Sequence, residues 1–112
     1  TSNASVTRTL IEKAGDFDPL FAWSGGEDTD LAYRLIREGA TLVANEKAIN
    51  YHLGIDDVQE KFEKRIPNFL YLQEKYPEDP LVKWFVRLTL LAVKEKKVNQ
   101  MFTDETLGRE LA

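Results

Sequence analysis

The sequence has 112 residues, 43% hydrophobic and 30% charged, the balance of a folded chain and the length of one domain or part of one. Its 15 basic and 19 acidic side chains leave a formal charge of -4, which argues against a broad grip on nucleic acid, so no nucleic-acid partner is expected. With no cysteine there is no disulfide framework, thiolate nucleophile or zinc-thiolate site, and one histidine excludes a multi-histidine metal site within one chain.

In chain order, Thr1 to Leu10 is polar and carries no apolar leader. An extended start and a short helix are expected around Val6 to Ala14, with Gly15 as a stop. Residues 15–26 are rich in turn formers and read as loop. A helix follows from about Glu27 to Glu38, with Leu31, Ala32, Leu35 and Ile36 on one face and Gly39 ending it. Ala40 to Leu53 reads as two short strands broken near Asn45 to Lys47. Val58 to Tyr76 reads as a helix that Pro67 should kink or split. After a break at Pro77 to Pro80, Leu81 to Lys97 reads as a long helix, and Thr103 to Leu111 as a short final one. The apolar stretch Leu81 to Val93 is interrupted by Lys83 and Arg87 and is too short to span a bilayer. The expected fold class is a helix-rich α/β fragment. Its front half, with two or three short strands, resembles the edge of a larger sheet, and a helical tail follows.

The segment Trp23-Ser24-Gly25-Gly26-Glu27-Asp28-Thr29-Asp30-Leu31 carries the most chemical information. Two glycines permit a tight turn and a close approach of ligand to main chain. Three acids then fall in the first helical turn. One reading is structural: acids stabilise the positive helix N-terminus by roughly 0.3–1 kcal/mol each, and Asp30 pairs with Arg34 one turn on. The other is functional: Asp28 shares a face with Leu31, Ala32 and Leu35 and sits at the upper end of the buried stripe, placed to accept a proton from a hydroxyl. Trp23 is either a core anchor or an apolar platform for the carbon face of a sugar. Phe17 and Phe21 share that ambiguity and fit core better.

His52 ends the second expected strand. It is either structural or one ligand of a divalent metal whose other ligands are carboxylates and a substrate phosphate. Asp56 and Asp57 follow it and read as the N-cap region of the next helix. Asp16 and Asp18 lack the glycine and distal glutamate of an EF-hand loop.

These residues in this order resemble family 2 glycosyltransferases: Asn3 to Arg8, Ala14 to Phe21, Trp23 to Leu31 with Tyr33-Arg34-Leu35, then Gly39 and Tyr51-His52. The block resembles the C-terminal part of the galactosyltransferase and chondroitin-polymerase-like groups, and Lys64 to Tyr71 is more weakly similar to a helix of the polymerase group. The resemblance implies the C-terminal half of a GT-A domain, with residues 1–55 forming an acceptor-side portion and 56–112 a helical C-terminal extension. It implies Asp28 as general base, Glu27 and Asp30 as acids that position the acceptor or hold the turn, and Trp23 as an acceptor-stacking aromatic. Gly25 and Gly26 complete the acceptor-binding turn. His52 would be a ligand to Mn2+ or Mg2+ in the complete enzyme. The implied partners are a nucleotide-sugar donor and a glycan or other hydroxyl acceptor, and the implied setting is bacterial polysaccharide biosynthesis. The half-domain that would carry the nucleotide and an Asp-x-Asp motif is not in this sequence, so the isolated chain is expected to be inactive and not to hold the metal tightly.

An alternative is a non-enzymatic helical module. Leu81, Trp84, Phe85, Leu88, Leu91 and Ala92 form an apolar face wider than one helix contact needs. Its reading as core competes with a homo-oligomer formed through exposed apolar surface. A cytoplasmic location, at the inner face of the membrane, is the expected compartment, from the missing cysteine and leader.

Overall fold

The computed structural model describes residues 3–22, 25–51, 53, 57–101 and 103–105. They form α1 (Arg8–Ala14), α2 (Glu27–Arg37), α3 (Val58–Lys75), α4 (Pro80–Lys94) and a 3-10 turn at Val98–Gln100, with no strand among them. The chain divides into two compact units, Thr1–Ile55 and Asp56–Ala112.

The expected α/β class is therefore corrected to all-helical for the described residues. A strand exists only through a ladder to a neighbour, and the stretch where two were expected has none. Asn45 turns it, accepting from the Ala48 N–H at its carbonyl and from the Lys47 N–H at its side chain, both at 3.0 Å. The alternating apolar residues stand in solvent, Tyr51 at 92% and Leu53 at 93% exposure.

In the first unit, Thr7 caps α1 by accepting from the Leu10 N–H, and Gly15 follows the helix at φ 81°. The pair Gly25 and Gly26, at φ 113° and 96°, brings the chain into α2 through backbone that other residues rarely adopt. The far end of α2 is closed by Gly39 at φ 89°, with the Ala40 N–H donating to the Leu35 carbonyl at 3.0 Å, a Schellman-type stop. Leu31 is buried and Ile36 exposed, so the apolar face is narrower than its sequence pattern.

The second unit is a helical hairpin. Asp57 caps α3, and Asp79, followed by Pro80, caps α4. Pro67 lies inside α3 and does not split it. The proline is on the exposed side, while the helix buries Phe69 and Leu72 and packs Phe62 and Ile66 inward. Apolar burial of that extent offsets the ~3 kcal/mol of an interior proline. Phe69 touches Phe62 and Phe85, each with ring centroids 5.8 Å apart. α4 contributes Val82, Val86, Leu88, Thr89, Ala92 and Val93 to the core, joined by Val98 and Met101. Its buried face is rotated from the expected one: Leu81 and Trp84 are 65% and 43% exposed. The helix also ends earlier, at Lys94, where Lys96 adopts φ 55°. Most of the short final helix expected over Thr103 to Leu111 lies outside the described residues.

Candidate functional site

The candidate site is the glycine turn and the start of α2. Three acids in one helical turn take three different positions. Glu27 folds back, and its carboxylate accepts the Gly25 N–H. That bond ties the turn to the helix it opens. Asp30 points inward and is fully buried, with its own N–H bonded to the Gly26 carbonyl at 2.8 Å. Asp28, between them, is half-buried and accepts from the Thr29 N–H at 2.8 Å.

A buried carboxylate needs a cation and hydrogen bonds. Asp30 has Arg34, whose Nε and Nη2 both lie 2.9 Å from its Oδ2. The guanidinium also donates to the carbonyls of Ala14, of Gly15 at 3.0 Å and of Asp16 at 2.7 Å. These carbonyls end α1, so Arg34 supplies both hydrogen bonds and positive charge at a helix C-terminus. Gly15 is required twice over. Its φ is positive, and a Cβ there would stand 3.2 Å from Arg34 Nη1.

Asp28 is electrostatically distinct. Burial pushes its carboxyl upward, while the N–H groups of Thr29 and of Asp28 itself pull it down. Those N–H bonds favour the charged carboxylate, whose oxygens can accept a proton.

The loop before the turn is shaped by its own acids. Asp16 accepts from the Phe17 N–H at 2.7 Å and Asp18 from the Leu20 N–H at 2.9 Å, so both serve the backbone. Phe21 is buried, as its core reading required, whereas Phe17 is 50% exposed and Leu20 70%.

Gly25 and Gly26 are buried beside Glu27, Asp28 and Asp30 in this turn. Trp23 and His52, the expected stacking aromatic and metal ligand, lie outside the described residues. Among the described residues no three of His, Cys, Asp and Glu form a group that could hold a metal ion. Arg34's reach to Ala14, Gly15 and Asp16 was missed by sequence reasoning. Its one signal was a glycine closing α1.

No family model matches the sequence, and no solved structure matches it. A 50-residue stretch is 40% identical to chondroitin synthase of Escherichia coli, covering 45% of this chain and 7% of that protein. The chain thus spans a small fraction of the curated relative it matches, and the similarity is to a glycosyltransferase over that stretch.

Proposed function

We propose that this chain is the acceptor-side part of a glycosyltransferase, with Asp28 as the base on the acceptor hydroxyl. In the reaction the acceptor oxygen forms a bond to the anomeric carbon of a nucleotide-sugar. The bond from that carbon to the diphosphate breaks, and the hydroxyl proton passes to the Asp28 carboxylate. Displacement from the opposite face inverts the anomeric centre. Glu27 holds the glycine turn through Gly25, and Asp30 anchors Arg34. Asp28 is half-buried, as Glu27 is, and accepts from the Thr29 N–H one residue on.

The observation that carries this reading is the 40% identity to chondroitin synthase over 50 residues, taken with that placement of Asp28. The test uses the full polypeptide that carries this sequence. It is given a chondroitin oligosaccharide and the UDP-linked uronic acid and N-acetylhexosamine of which chondroitin is built. Asp28→Asn should abolish sugar transfer, by roughly a hundredfold or more, with an unchanged helical circular-dichroism signal. Transfer near the unsubstituted rate would remove Asp28 as the base.

A second reading, a self-associating helical module, rests on Leu81 and Trp84, which stand 65% and 43% exposed on α4. Sedimentation separates the two: a concentration-dependent dimer that Trp84→Ser makes monomeric favours the module.

A further inference from the structure

Arg34 lies six residues beyond Asp28 on α2, about 9 Å along the helix axis. A guanidinium presents five donors in a rigid plane. This one is used on two sides, by the buried Asp30 carboxylate and by the consecutive carbonyls of Ala14, Gly15 and Asp16. Those carbonyls lie where α1 ends and the chain sets out toward the acidic turn. At Gly25 the same chain is fastened to α2 again, by the Glu27 carboxylate. The connection between the helices is thus tied to α2 both where it leaves α1 and where it reaches the glycines. Phe17 and Leu20 stand exposed on it.

We propose that Arg34 is a positioning residue for the acceptor. By clamping residues 14–16 onto α2, it fixes where the apolar side chains of Phe17 and Leu20 stand relative to the acidic turn. It thereby fixes the direction from which a hydroxyl-bearing carbon skeleton meets Asp28. This rests on the glycosyl-transfer reading above. Arg34 acts through the loop and touches no reacting atom. Lysine at this position would keep a charge for Asp30, but its single nitrogen cannot serve a carboxylate and three carbonyls in one plane. Arg34→Lys therefore separates charge pairing from clamping.

The experiment compares the unsubstituted full polypeptide with R34K, using the chondroitin oligosaccharide and UDP-sugars as probes, together with amide hydrogen exchange. The expected result has three parts. Exchange over residues 14–22 quickens while exchange in α3 and α4 is unchanged. The acceptor KM rises roughly tenfold or more. The donor KM stays where it was. Quickened exchange with an unmoved acceptor KM overturns the proposal, as does unchanged exchange, or a loss confined to kcat. If the unsubstituted polypeptide transfers no sugar, the glycosyl-transfer reading falls and the acceptor role with it, whereas an active enzyme with an indifferent R34K sinks the positioning role alone. Should R34K lose helical signal, Gly15→Ala takes its place. It leaves Asp30 and Arg34 intact and sets a methyl 3.2 Å from Nη1, and the same readouts decide.

Discussion

Arg34 and Asp30 form a buried ion pair whose cation does a second job twenty residues away, because the guanidinium that neutralises Asp30 also closes the carbonyl end of α1. The pair belongs to α2 by spacing, yet it decides how α1 is attached. A surface pair at i,i+4 contributes a few tenths of a kcal/mol. This one differs because the carboxylate has no exposed surface and the guanidinium side chain is 18% exposed.

Asp30→Ala should accordingly be among the most destabilising single changes in the first unit. It leaves Arg34 partly buried without its carboxylate, and breaking such a pair from one side costs about 3 kcal/mol. Urea denaturation followed at α1 and α2 measures the loss. A change under about 0.5 kcal/mol, the range of an exposed pair, would show that Arg34 is held by the carbonyls alone.

Lys96 makes the opposite prediction. It sits just past the end of α4 at φ 55°, with the Lys97 N–H donating to the Ala92 carbonyl at 2.8 Å. Gly39 occupies the corresponding place after α2. A side chain in left-handed backbone costs roughly 1 kcal/mol. Lys96→Gly should therefore stabilise the hairpin by about that amount, less what glycine loses in the unfolded chain. An unchanged or lower thermal midpoint would contradict this.

The contrast between those two helix ends shows what was legible beforehand. The start and stop of α2 could be read because two glycines, three acids and Gly39 are local signals that act on their own neighbours. The end of α4 was misplaced because its stop is a lysine, which carries no such signal. The strands over Ala40 to Leu53 were misread for a different reason. Alternating apolar residues state what a segment would bury if a partner strand were beside it, and residues 42, 43, 49, 51 and 53 have none of that cover. On α4 the apolar residues run so far round the helix that the phase is ambiguous. Thr89, fully buried with its hydroxyl donating to the Phe85 carbonyl at 2.9 Å, is not recognised as core by hydropathy. In the candidate site the contacts of Arg34 span 18 to 20 residues, beyond any periodic rule.

Phe69 tests the packing of the second unit. Its ring meets Phe62 and Phe85 edge or tilt and is 3% exposed. Phe69→Ala should cost about 3–5 kcal/mol from lost transfer energy and the cavity left behind. Phe69→Leu should recover more than half of that. Equal losses for both would mean that ring geometry rather than buried volume sets the energy.

Asp28 predicts a pH dependence of definite sign. Its carboxyl lies below the ordinary value in the folded chain although burial raises it, and the N–H groups of Thr29 and of Asp28 itself are among the groups that lower it. The folded state therefore binds the proton less readily than the unfolded chain does. The associated stability is fully present above the unfolded value, about pH 3.9, and fades as pH falls through the lower folded value. Asp28→Asn removes this contribution. The stability gap that this ionisation opens between the two proteins should be constant above about pH 5 and narrow on further acidification. Denaturation of both proteins across that range measures the gap, and a gap that widens below about pH 5 would contradict the sign.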